Sequence, residues 1–174
     1  MAHRLKYMKA KGYENGFKFT LMRTRLAQPL KIKKPTKFFV NSMSDYLKNK
    51  NIPRNIWLGV SVENKDSKYR IDYLRNIQAT IRFISMEPLL EDLGELDLSN
   101  IHWVIVGGES GNKARPMNPE WVLSIHKKCV EQGVAFFFKQ WGTWGSDGIK
   151  RAKKANGRLF LGKVWNEEPE LAIV

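Results

Sequence analysis

Short apolar runs recur from Lys37 onward, at 38–40, 57–62, 81–84, 103–106 and 135–138. None alternates with polar residues, which is how strands buried on both faces of a parallel sheet read. Between the last two runs the helix signals are complete. Asn118 can cap, Pro119 suits the first turn, Val122, Ile125 and Cys129 recur on one face, and Gly133 stops it. A helical crossover of this kind makes its flanking strands parallel. A weaker crossover is expected from Asp66 or Ser67 to about Ile77, with Tyr69 and Tyr73 one turn apart on one face.

Before Lys37 the chain is punctuated by Gly12, Gly16, Pro29 and Pro35, so residues 1–36 read as an irregular arm. The expected organisation is one α/β domain: this arm, a parallel β/α core of about five strands over 37–142, and a C-terminal loop and hairpin over 143–174.

Three of the runs are versions of one pattern: WLGVSVE at 57–63, IRFISME at 81–87 and WVIVGGE at 103–109. Their terminal residues, Glu63, Glu87 and Glu109, are 24 and 22 positions apart, a spacing that suits successive strand and connection units. In a parallel sheet all three would lie at the carboxyl end, where α/β folds gather side chains from several loops over a rigid scaffold.

The chemistry open to these glutamates is binding of an amine or of ribose hydroxyls, or general acid and base work if mutual repulsion raises one pKa. The alternative is an ion-pair network with Lys139 and Arg115. Gly107-Gly108-Glu109-Ser110-Gly111 follows a strand and lets main-chain N–H groups approach a ligand, though it fits neither the Rossmann nor the P-loop pattern. A plain turn is the competing account, and Ser110 and Arg115 add polar groups that a turn does not need. Lys139 and Gln140 end the last strand as a cation and an amide. Asn41-Ser42-Met43-Ser44-Asp45 follows the first, with Asp45 most simply a helix cap. Cys129 on an apolar helix face reads as inert packing.

Composition narrows the class. With 174 residues and 43% hydrophobic content, the chain can bury a core as one domain. No apolar run approaches the roughly 18 residues of a spanning helix. The basic N-terminus leads into no apolar segment, so a cytoplasmic protein with no membrane contact is expected. One cysteine and three histidines lack metal-ligand spacing, so no metal site is expected. The net charge of +13 is concentrated in residues 1–54, which hold 14 Lys/Arg against 2 acids. Such an arm attracts polyanions, so contact with a nucleic acid or an acidic partner is one reading, and a merely solvated basic face is the other. Lys150, Arg151, Lys153 and Lys154 form a second basic group.

In combination, KFFVNSMSD (37–45), WLGVSVEN (57–64), RFISMEPLL (82–90), WVIVGGESG (103–111) with ARPM (114–117), FFFKQWG (136–142) and GRLFLGKVWNEEP (157–169) resemble one family. It is the phage and prophage gp-thirty-seven/gp-sixty-eight-like family of unknown function, itself similar to radical S-adenosylmethionine enzymes. The resemblance implies a partial (β/α) barrel. In full-length members it implies S-adenosylmethionine and an iron-sulfur cluster, held by three cysteines upstream of segments like AHRLK (2–6) and YENGFK (13–18). It also implies cofactor or substrate contacts at Ser61, Glu63, Ser85, Glu87, Gly107, Gly108, Glu109 and Lys139.

Two departures stand out. The chain starts after the cysteine motif, and it joins Asp45 directly to Tyr46 where the family pattern has at least a further helix and strand. It therefore reads as a truncated and internally deleted member, with no cofactor of its own and no radical activity. A small basic nucleic-acid- or partner-binding protein, and a non-radical enzyme acting on a nucleotide-like substrate, are the alternatives. An open sheet of this kind exposes edges that an oligomer or a partner chain would cover.

Overall fold

The structure is a computed structural model and describes residue 52 and residues 56–170. The expected arm at 1–36, the strand at 38–40 and the segment 41–45 lie outside the described residues.

Four parallel strands form one sheet in chain order: β1 (Trp57–Ser61), β2 (Ile81–Met86), β3 (Trp103–Gly107) and β4 (Ala135–Gln140). Each starts where its apolar run starts. β2, β3 and β4 continue beyond theirs, with Met86 still in the core while Ser85, Gly107 and Lys139 face the other way.

One face is the core. Val60, Ile84, Val104 and Phe136 lie in register across the sheet, and Met86, Val106 and Phe138 form the next row. All of these are at most 4% exposed. Truncating Phe136 or Phe138 to Ala would cost about 3–5 kcal/mol on that account.

Three elements cover this face. A 3-10 turn (Lys65–Ser67), capped by the Asn64 side chain, leads into α1 (Tyr69–Arg75), which buries Ile71 and Leu74. Tyr69 and Tyr73 do share a face, with rings edge-on at 5.8 Å, but it is the exposed one. Between β2 and β3 no helix forms. The loop spanning 87–102 instead buries Leu89, Leu93, Leu96, Leu98 and Ile101. The third element, α2 (Pro119–Glu131), follows its signals closely. The Asn118 side chain accepts from Glu120 N at 3.0 Å, and Val122, Ile125, His126 and Cys129 are buried. Gly133 takes up a φ of 66° just past its end.

The opposite sheet face is aromatic at its base. Trp103 contacts Trp57, Phe83 and Phe137 with ring centroids 5.8–5.9 Å apart. Gly59 makes room for this row, since a Cβ there would come within 2.3 Å of the Phe83 ring.

The chain ends with a single-turn helix α3 (Lys153–Asn156) and a hairpin of β5 (Leu159–Phe160) and β6 (Lys163–Val164). Residues 165–167 then run antiparallel along the outer edge of β4. Phe138 N donates to Trp165 O at 3.1 Å, Glu167 N donates to Phe136 O at 3.2 Å, and Phe136 N donates to the Glu167 carboxylate at 2.9 Å. This strap brings Trp165 onto His126, with ring centroids 4.1 Å apart, beside Phe136 and Phe160. Burial in that cluster pushes the His126 pKa below its ordinary value. Among the described residues, no helix is long and apolar enough to cross a membrane.

Candidate functional site

The carboxyl ends of the four strands carry the residues singled out from the sequence, on the face opposite the core. β1 and β2 pair in step, with Trp57 beside Ile81 and Ser61 beside Ser85. Glu63 and Glu87 each follow two residues later, so they continue the same face. β2 and β3 are displaced: Trp103 pairs with Phe83, not with Ile81. The third repeat is therefore shifted by two residues, and Gly107 rather than Glu109 stands beside Glu87. Such staggering is what a sheet curling toward a barrel requires.

The shift has a chemical result. A Cβ on Gly107 would lie 3.2 Å from Cδ of Glu87, so the Glu87 side chain lies across β3 at the one position without a side chain of its own. Having crossed, it meets Lys139 of β4, with Nζ 2.8 Å from Oε2. The Glu87 side chain is 20% exposed and that of Lys139 is 51% exposed, so the pair is open on the lysine side. Gln140 is buried beneath it. Its Nε2 reaches Glu87 Oε1 at 3.4 Å, Ser110 Oγ at 3.3 Å and the Gly108 carbonyl at 3.4 Å.

The other two glutamates have partners of their own. Glu63 lies 3.4 Å from Nη1 of Arg70, which also donates to the Ser61 carbonyl at 2.8 Å. Glu109 turns away toward Arg115, accepting from its Nε at 2.9 Å, its Nη2 at 3.0 Å and its backbone N at 2.8 Å. These bonds hold the Glu109 carboxyl at about 2, so it is ionised at neutral pH and has no proton to give as a general acid.

Gly108 and Gly142 close the site from below. Gly108 N donates to Gln140 O at 2.9 Å, and Thr143 N donates to Glu109 O at 2.9 Å. The two backbones are so close that a Cβ on Gly108 would fall 1.9 Å from the Trp141 carbonyl oxygen.

Ser61, Ser85, Glu63, Glu87, Gly107 and Lys139 thus share one face, Ser110 joins through Gln140, and Glu109 with Arg115 stands to one side. Arg70 escaped the sequence reading. Its signal is a cation on the helix that follows Glu63, but the Tyr69/Tyr73 pair does not tell which side of α1 faces the sheet. Cys129 is buried in the core, and its thiol is pushed up to about 12 by desolvation. Among the described residues, no group of three or more His, Cys, Asp or Glu side chains could hold a metal ion.

A family model for a protein of unknown function, DUF5131, matches residues 46–169. The chain belongs to the DUF5131 family. No match was found among curated proteins or among solved structures. The DUF5131 match spans all four strands and every residue of the site described above.

Proposed function

We propose that this DUF5131 protein is a phage- or prophage-type protein that holds a small zwitterionic, nucleoside-bearing ligand at the carboxyl end of its sheet, without radical chemistry by this chain. The observation that carries this reading is the Glu87–Lys139 pair lying across Gly107. A carboxylate and an ammonium side by side, open on one side, are complementary to an amino-acid group. Glu87 would take the ligand's ammonium and Lys139 its carboxylate, while Ser61 and Ser85 supply hydroxyls on the same face. The family resemblance makes S-adenosylmethionine the ligand to try. When bound beside a reduced cluster, it would supply a radical.

The cluster itself does not fit. It needs several thiolates in one loop, whereas this chain has a single cysteine that is 1% exposed on α2. No reaction step is therefore assigned to one.

Isothermal titration of the full chain with S-adenosylmethionine and S-adenosylhomocysteine tests the pocket. Binding of both compounds is expected, with a loss of at least tenfold in Glu87→Gln and in Lys139→Ala. Equal affinity in wild type and both variants would refute the assignment. Anaerobic iron-sulfur reconstitution tests the second clause, and a stoichiometric charge-transfer absorbance would overturn it.

A further inference from the structure

Beside the Glu87–Lys139 pair, the loops that follow β3 and β4 are fused into one rim. Gly111 N donates to Thr143 Oγ1 at 2.9 Å, Trp144 Nε1 donates to Ala114 O at 2.7 Å, and Lys150 Nζ donates to Asn112 O at 2.9 Å. The charge on this rim is one-sided. Its two acids are each matched to an arginine, Glu109 to Arg115 at 2.9 Å and Asp147 to Arg151 at 2.6 Å. Four exposed lysines remain, Lys113, Lys150, Lys153 and Lys154, and among the described residues none has a carboxylate within ion-pair distance. From Gly148 to Asn166 the chain has six Lys/Arg and no Asp or Glu.

We propose that this lysine rim binds the phosphate backbone of a nucleic acid. Four like charges on adjoining loops repel one another, and a polyanion laid along them turns that repulsion into attraction with release of its counterions. Lysines on flexible stems act as point charges, which suits a phosphate ladder that need not be read in sequence. The half-buried Trp144 ring lies beneath Lys150, 5.8 Å from its Nζ, and adds an aromatic surface to the same rim.

A lipid surface fits less well. Within 109–115 and 141–154 the only large apolar side chain exposed is Ile149, and α3 is a single turn that buries nothing; the exposed Leu159, Leu161 and Val164 lie on the hairpin that follows, so vesicles form a separate arm of the test. The inference does not depend on the ligand of the pocket. It also differs from attraction by the N-terminal arm, because it names lysines whose removal leaves that arm intact.

The test is fluorescence anisotropy of the full chain with a labelled 20-nucleotide single strand and a 20-base-pair duplex, in DNA and RNA forms, from 50 to 200 mM NaCl. The variant replaces Lys113, Lys150, Lys153 and Lys154 with Ala. The control replaces Lys65 and Lys127, which are exposed on other elements. With about 0.7 counterions released per phosphate contact on a single strand, removing four contacts lowers the slope of log K against log salt by up to about 3. Affinity at 100 mM should fall at least tenfold, while the control stays within twofold of wild type. An unchanged slope and affinity in the four-lysine variant would overturn the proposal. So would the absence of wild-type binding to any of the probes, or binding confined to phosphatidylserine vesicles in a sedimentation arm.

Discussion

Two adjacent glycines at the end of β3 make opposite demands, and the contrast predicts two different phenotypes. Gly108 has an ordinary φ, so alanine there meets no torsional objection. Its Cβ would nevertheless sit 1.9 Å from the Trp141 carbonyl oxygen and 2.7 Å from its carbon, both of them backbone atoms that no rotamer change can move. The backbones must separate, which loosens the bonds Gly108 N–Gln140 O and Thr143 N–Glu109 O. At about 1 kcal/mol for each hydrogen bond and 1–3 kcal/mol for overpacking, Gly108→Ala should destabilise the fold by about 3–5 kcal/mol. For a domain of this length that is a fall in Tm of roughly 6–20 °C. At Gly107 the nearest atoms to the new methyl belong to the Glu87 side chain, at 3.2 Å, which can swing aside. Gly107→Ala should therefore stay within about 1 kcal/mol of wild type, yet displace Glu87 from Lys139 and weaken the pocket. Urea denaturation followed by tryptophan fluorescence gives both stabilities. If Gly108→Ala unfolds within 0.5 kcal/mol of wild type, the close crossing of the two backbones is refuted.

Two further predictions concern titration and reactivity. With its thiol pushed up to about 12 and its side chain in the core, Cys129 should not react with Ellman's reagent at pH 8 in the folded protein and should yield one equivalent in 6 M guanidinium; a stoichiometric reaction in native buffer would show that α2 packs differently. In acid, Glu109 and Asp147, each held at about 2, contribute stability that is complete above their unfolded values and is lost as pH falls toward 2. The lowered pKa of His126 acts at higher pH, its contribution being complete above 6.5 and declining as pH drops below that. Urea midpoints should thus fall in two stages. His126→Phe should flatten part of the stage below pH 6.5, the rest belonging to His102, whose pKa burial also lowers, and Glu109→Gln should flatten part of the stage below pH 4.5. If both variants keep the wild-type profile, those environments are wrong.

What could be read from the sequence was what is encoded locally. The strand starts were legible because each apolar run is continuous, and α2 because its cap, its first-turn proline and its terminal glycine all lie within the segment itself. Register was not legible, since the displacement of β3 against β2 comes from how Gly59, Phe83 and Trp103 pack across three strands. The repeat suggested three equivalent glutamates. Packing instead placed two of them on one level and put Gly107 where the third was expected. The loop at 87–102 stayed silent because the i, i+4, i+7 spacing of Leu89, Leu93 and Leu96 is interrupted by Gly94 and is not continued by Leu98 and Ile101. The strap at 165–167 has one apolar residue, Trp165, and so carried no strand signal. Pairing of the glutamates with Lys139 and Arg115 was foreseen as one alternative. The role of Arg70 needed the orientation of α1.

The strap along β4 also gives the sheet a direction of growth. With Trp165 and Glu167 already bonded to Phe138 and Phe136, the β4 edge has no ladder positions to offer there. Among the described residues no strand lies on the outer edge of β1, so a strand that extends the sheet, whether from elsewhere in the chain or from another molecule, would dock there. It would then lie next to Ser61 and Glu63, so extending the sheet and enclosing its polar end would be a single event.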